Sequence, residues 1–272
     1  MKRRRFIATI MVSAALTGGV LTACNNQAQT SSEQAGGEAG GGESRGTLVM
    51  ATSADYPPYE FVETAGGTEE IVGFDVDIAR SIAERLGYEL EINNIDFNGL
   101  IPALQADRAD FVMAGMTPTE ERKQNVDFSN IYYDAKQTIV ASQDSGITAP
   151  ADLDGKKVGV QLGSIQEGLA KDLIEEDGSK MELVPLNRIN EIVQELKSGR
   201  IDAAIIEDTV AQGFLQANPD LVATEIPEDG PSGSAIAFPK GSELVDEFNT
   251  ALQEMETSGE IEELVKKWFG DG

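Results

Sequence analysis

The chain has no histidine and one cysteine. The groups left to do chemistry are therefore carboxylates, guanidinium and ammonium ions, hydroxyls and backbone amides. A Ser-His-Asp triad, a Cys-His pair and a histidine zinc site are excluded by composition. A carboxylate-only enzyme is not, so binding readings stand ahead of catalytic ones. Arg122 lies in the run Glu120-Glu121-Arg122-Lys123. Its guanidinium is a planar fork suited to a carboxylate, although the same run also reads as a charged surface turn. Ser164 sits in Gln161-Leu-Gly-Ser-Ile-Gln166, a turn entering a helix, and a helix N-terminus favours an anion. Asp208 closes a strand and precedes a helix, which makes it an anionic site, an N-cap, or both.

These residues need elements to hold them. Gly46–Thr52 reads as a buried strand, and Phe74, Ile78, Ile82 and Leu86 recur at helical spacing with Gly87 placed to end the helix. Strands are expected over 88–95 and 110–114, with a helix over 100–105 between them. The alternation resumes after Ser142. Strands are expected at 157–161, 181–185, 201–206 and 235–238, and helices at 165–175, 190–197 and 209–216. The chain ends in an amphipathic helix pair over 244–256 and 260–268. Such alternation implies two α/β units with largely parallel sheets. Ligands in such sheets sit beyond the carboxyl ends of the strands. Arg122, Ser164 and Asp208 all follow predicted strands.

The N-terminus sets the compartment. Met1-Lys2-Arg3-Arg4-Arg5 precedes an apolar run to Ala23, the pattern of an export signal. The run is diluted by Ser13, Thr17, Gly18 and Gly19 and is marginal for a bilayer core of about 30 Å. It ends in Leu21-Thr22-Ala23-Cys24, which resembles a bacterial lipobox. Cys24 is the only cysteine, so it cannot form an internal disulfide, and lipidation gives its position a reason. Residues 24–46 are rich in Gly, Ser, Gln and Glu and cannot bury a core. They read as a disordered tether with a reach of roughly 25 Å. The net charge is −26, and residues 1–23 hold four cations and no acid, so cleavage leaves the remainder more negative still. Such a surface repels nucleic acid and anionic headgroups.

The segments Thr52-Ser-Ala-Asp-Tyr-Pro-Pro-Tyr-Glu-Phe61, Gly73-Phe-Asp-Val-Asp-Ile78, Asp96-Phe-Asn-Gly-Leu-Ile-Pro-Ala-Leu104, Ala114-Gly-Met-Thr-Pro-Thr-Glu-Glu-Arg122, Val126-Asp-Phe-Ser129 and Lys266-Lys-Trp-Phe-Gly270 occur in order. Together they resemble the polar-amino-acid solute-binding proteins of ABC importers, from about Thr47 to the end. The resemblance implies a two-lobed type II periplasmic-binding-protein fold with two crossover strands. Lobe one would comprise 47–137 and 237–272, and lobe two 138–236. It also implies roles. Arg122 would grip the ligand carboxylate, with Ala114, Gly115 and Thr117 beside it. Ser164 and Gln161 would approach from lobe two, and Asp208 would hold the ammonium. Tyr56 and Phe97 would wall the side chain. The chain departs from the family pattern at Ser53, where many members have aspartate, and at Glu207, where others have glutamine or histidine. Asp55 and Glu207 beside two rings suggest a cationic side chain, because a cation over a desolvated ring gains about 0.5–2 kcal/mol.

The expected function is the extracytoplasmic, lipid-anchored binding component of an amino acid importer, taking arginine, lysine or histidine. Glutamine or another polar amino acid is the alternative, and a cyclohexadienyl dehydratase-like enzyme on the same fold is a more distant one. The expected partners are the ligand, a permease and an ATPase. The only expected membrane link is the lipid. A monomer with no cofactor and no metal is expected.

Overall fold

A computed structural model describes residues 44–175, 178–227 and 232–270. The expected leader, Cys24 and the tether up to residue 43 lie outside the described residues. Composition assigns residues 44–46 to the tether, but the structure fastens them to the body. Arg45 donates to both carboxylate oxygens of Glu247 (2.6 and 3.1 Å) and lies over the Tyr88 ring.

Lobe one is built on β1 (Thr47–Thr52), β5 (Glu89–Asn94), β6 (Phe111–Val112), β7 (Val126–Tyr133) and β13 (Ser234–Pro239), in the order β5-β1-β6-β13-β7. Lobe two is built on β8 (Gln137–Ser142), β9 (Lys157–Gln161), β10 (Glu182–Leu186), β11 (Ala203–Glu207) and β12 (Leu221–Glu225), in the order β10-β9-β11-β8-β12. Each sheet has a parallel trio, β5-β1-β6 in one and β10-β9-β11 in the other. An antiparallel strand flanks each trio: β13 against β6, and β8 against β11. The central β11 is buried along its whole length, as parallel strands covered on both faces are. Edge strand β5 alternates in burial and carries Glu89 and Glu91 on its exposed positions, which blunts an edge that would otherwise template pairing. The two lobes are joined through Asp134–Lys136, between β7 and β8. The chain returns to the first sheet at Ser234, three residues ahead of the boundary read at 237.

The helices are α1 (Phe74–Leu86), α2 (Leu100–Gln105), α3 (Glu120–Lys123), α4 (Ile165–Glu175), α5 (Ile189–Lys197), α6 (Asp208–Ala217), α7 (Leu244–Ser258) and α8 (Glu260–Phe269). α1 and α4 coincide with the expected spans. Strands β7, β8 and β12 lie outside the expected set. So does a third sheet of β2 (Asp55–Tyr56), β3 (Glu60–Ala65) and β4 (Thr68–Val72) in the order β2-β3-β4. That small sheet is pinned from the far end of the chain. Phe269 of α8 packs edge-on to Tyr59 and stacks on Tyr133 at 4.4 Å between centroids, and the Trp268 indole donates to Asp77. Tyr56 stacks on Tyr59. Among the described residues no helix is long and apolar enough to cross a membrane.

Candidate functional site

The carboxyl ends of four strands converge between the lobes. β1 ends at Thr52 and leads to Tyr56, and β6 leads to Ala114–Thr117. β9 ends at Gln161 before the α4 turn, and β11 ends at Glu207. Between them lies a narrow cavity open to the cleft. Lobe one contributes Tyr56, Phe97, Ala114, Gly115, Thr117 and Arg122 to its lining. Lobe two contributes Gln161, Ser164, Ile165, Gln166 and Glu207. Nine of the eleven residues expected at the site are therefore brought together, and two are not.

Arg122 is the cationic pole. It is buried, and its guanidinium donates to Thr117 O at 2.8 Å and to Gly163 O, across the cleft, at 3.0 Å. Phe97 covers it, with the guanidinium carbon 5.4 Å from the ring centroid. Among the described residues no carboxylate forms an ion pair with it. Burial lowers its pKa to about 10, so it remains charged at neutral pH. It is a cation taken out of water with two carbonyls for company, and an incoming carboxylate would complete it.

Glu207 is the anionic pole. It is buried, accepts from Thr209 Oγ1 at 2.6 Å and from Tyr56 OH at 3.4 Å, and burial raises its pKa to about 7. Asp208, expected in this role, does not line the cavity. Its Oδ1 accepts from the amides of Thr209 and Lys136 instead, so it ties the start of α6 to the lobe connection. The strand expected to end at 206 extends through Glu207. Neighbouring residues of a strand face opposite sides, and the strand runs through Glu207.

Asp55 is also displaced from its expected place. It accepts from Ser53 Oγ at 2.9 Å and from the amide of Ile189 at 2.6 Å, on the other lobe. It thereby caps the N-terminus of α5, a helix end that favours a carboxylate. Arg188 reinforces the crossing, at 2.7 Å from Asp96 and 3.9 Å from Asp55. Asp55 joins the two lobes and does not line the cavity.

Two glycines set how closely the walls approach. At Gly115 (φ 55°) a Cβ would come within 3.1 Å of the Tyr56 ring, and at Gly163 (φ 78°) within 3.2 Å of Asn98 on the opposite lobe. Both adopt a backbone region open chiefly to glycine. Ser164 serves as a helix start. Its hydroxyl receives the amide of Glu167, and its own amide donates to Gln161 O at 3.2 Å. Its amide is thus already engaged, and Ile165 and Gln166 carry the remaining first-turn amides of α4 that an anion could use. Gln166 has no sequence signal beyond its place in the turn; its side chain is held by Gln137 at 2.7 Å.

A buried acid group behind the cavity wall has no counterpart among the expected residues. Glu60 of β3 is fully buried and neither carboxylate oxygen has a hydrogen-bond partner. Asp75, at the start of α1, accepts from the Gly115 amide at 3.0 Å and from Tyr132 OH at 2.8 Å. Burial pushes Glu60 well up, and Asp75 adds to it; burial likewise raises Asp75 to about 6. The signal lies in Tyr-Pro-Pro-Tyr-Glu, but without the β2–β3 pairing of Tyr56 with Glu60 nothing marks that glutamate as internal.

The geometry is that of a two-lobed trap with opposite charges on its two walls. Residues 48–271 match the family described as bacterial extracellular solute-binding proteins, family 3. The arginine-binding extracellular protein ArtP of Bacillus subtilis (strain 168) is 51% identical over 262 residues, 96% of each chain. An ancestral arginine-binding protein solved with arginine is 42% identical, with a TM-score of 0.77 over 83% of this chain and 99% of that one. The ancestral arginine-binding protein solved with glutamine is 41% identical, with a TM-score of 0.76 over 84% and 99%. With a match spanning both lobes and both charged walls, the chain belongs to family 3 of the bacterial extracellular solute-binding proteins, whose place of work is outside the cytoplasm.

Proposed function

We propose that this protein is the capture component of an ABC importer for a cationic L-amino acid, with arginine as its first ligand, and that it binds without catalysing a reaction. The observation that carries this reading is the opposed pair of buried ions, Arg122 on one lobe and Glu207 on the other. A zwitterion satisfies both at once, and only when the lobes meet. Closure is therefore coupled to occupancy, because the ligand bridges charges that face each other in that arrangement alone. Tyr56 and Phe97 supply flat walls for a long side chain. The acid group at Glu60 and Asp75 gives the end of such a chain a reason to be positive. The arginine-binding names of the relatives point the same way, and the glutamine-bound ancestral protein makes glutamine the competitor to test.

A thermal-shift screen of the twenty amino acids tests the reading. Ligand at 1,000 times its Kd stabilises by about 4 kcal/mol, which for a chain of this size raises Tm by about 8–16 °C. Arginine is expected to give the largest shift. A shift with glutamine and none with arginine or lysine would replace the cationic reading with the neutral one.

The permease and ATPase are the partners this role requires. We further propose that Cys24 carries a lipid that keeps the protein at the outer face of the membrane. The support is the Leu21-Thr22-Ala23-Cys24 sequence and the lack of any other use for a lone cysteine. Cys24→Ala should move the protein from the membrane fraction to the medium, followed by immunoblot. Retention in the membrane would sink the anchor.

A further inference from the structure

Two carboxylates of lobe one each stand one residue ahead of an aromatic wall of the cavity, Asp55 before Tyr56 and Asp96 before Phe97. Both meet the start of α5 on lobe two. Arg188, the residue before α5, lies 2.7 Å from Asp96 and 3.9 Å from Asp55. The next amide, that of Ile189, donates to Asp55 at 2.6 Å. The Asp55 side chain is 5% exposed, so its bond to α5 is shielded from water; Arg188 and Asp96, at 30% and 39%, close the crossing on its solvent side. A further contact follows on the other side of Phe97, where a Cβ on Gly163 of lobe two would come within 3.2 Å of Asn98. Phe97, which covers the Arg122 guanidinium, is therefore flanked on both sides by residues that touch lobe two. Each of these contacts joins protein to protein, and none of Asp55, Asp96, Asn98, Gly163, Arg188 and Ile189 lines the cavity. When the lobes part, Arg188 and the Ile189 amide leave with α5, and the two carboxylates return to water. The crossing thus favours the closed arrangement alone, by an amount that does not depend on which amino acid lies between the lobes.

We propose that Arg188, with Asp55 and Asp96, forms a retention latch that holds the lobes together and slows release of the captured amino acid without selecting among amino acids. The three are positioning residues. They act through the closed cleft, while Arg122, Glu207, Tyr56 and Phe97 meet the ligand. The latch forms only after the ligand has entered and the lobes have met, so it bears on dissociation and leaves association alone. Its two parts differ in strength. The shielded bond from the Ile189 amide to the Asp55 carboxylate is a charge-assisted hydrogen bond, whereas the half-exposed Arg188–Asp96 pair is weaker and is screened by salt. This inference rests on the amino-acid-capture reading above and deepens it.

The test is stopped-flow kinetics on the full chain with arginine and lysine as probes. Arg188→Ala should speed dissociation of arginine about two- to fivefold, and Asp55→Ala about ten- to a hundredfold. The association rate should stay within about twofold of the wild type, as it does for most contacts that form after encounter. Lysine should be released faster by the same factor as arginine in each variant, leaving the ratio of their affinities unchanged. Arg188→Ala combined with Asp96→Ala should release ligand no faster than Arg188→Ala alone, because either change breaks the same pair. Arg188→Lys should restore part of the retention, and added salt should shrink the difference between Arg188→Ala and the wild type. Wild-type dissociation rates in both Arg188→Ala and Asp55→Ala would overturn the latch and leave the capture reading standing. So would unequal factors for arginine and lysine, which would place these residues on the ligand side chain. A wild-type protein that binds no amino acid would overturn the capture reading and the latch with it.

Discussion

Arg122→Ala will abolish amino acid capture while leaving the fold intact. The loss in binding should be about 3–5 kcal/mol, the cost of leaving a buried carboxylate without its partner, which corresponds to about two to three and a half orders of magnitude in Kd. The unliganded protein should behave differently. Burial lowers the Arg122 pKa from its usual value to about 10, a burial penalty of about 3 kcal/mol on the charged form. A base whose pKa is depressed by folding destabilises the fold at every pH below that value, and removing it removes the penalty. Against this stand its two bonds to Thr117 O and Gly163 O, each worth about 1.5–3 kcal/mol as charge-assisted hydrogen bonds. The two bonds together contribute about 3–6 kcal/mol, so the free variant should be less stable by at most about 3 kcal/mol and its Tm should fall by no more than about 12 °C. Arg122→Lys keeps the charge but not the fork and should recover only part of the affinity. Titration calorimetry and melting curves on the three proteins check both halves. An unchanged Kd would show that the carboxylate is held elsewhere.

The contrast between binding and stability at Arg122 bears on what can be read before the structure. Helices α1 and α4 are legible because their apolar residues repeat at a helical period and their ends carry turn residues. Parallel strands β1, β9 and β11 are legible as short apolar runs between helices. Strands β7, β8 and β12 are not. Val126–Tyr133 mixes exposed and buried positions without clean alternation, and what makes it a strand is its pairing with β13, over a hundred residues later. The site follows the same division. Arg122, Thr117, Gly115, Tyr56 and Phe97 fall in local motifs, and each lines the cavity. Asp55 and Asp208 carry the right charge in the right segment, but a side chain's direction depends on strand ends and on which helix lies opposite. Glu60 is invisible in the sequence because its meaning comes entirely from burial beside Asp75.

The choice between neighbouring carboxylates can be settled by one pair of substitutions. Glu207→Gln should weaken amino acid binding by about 2–5 kcal/mol, because it removes one member of a charge pair that is fully desolvated on closure. Asp208→Ala should change affinity by no more than a few fold. It should instead cost about 0.5–2 kcal/mol of stability, since Asp208 satisfies the amides of Thr209 and Lys136. Their pH behaviour separates them further. Burial raises the Glu207 pKa from 4.5 to about 7. An acid with a raised folded pKa contributes stability that is fully present below its unfolded pKa and is lost as pH rises through the folded value. The free protein should therefore lose about 3 kcal/mol through Glu207 between about pH 4.5 and 7, and the Glu207→Gln variant should be spared that part of the decline. A ligand ammonium reverses the penalty by pairing with the carboxylate, so added ligand should stabilise the wild type more at pH 8 than at pH 5. Melting curves at those two pH values, with and without ligand, read every arm. If Asp208→Ala loses the ligand and Glu207→Gln keeps it, the anionic pole belongs to Asp208 after all, and the lobes must close around a β11 that ends one residue later than it does here.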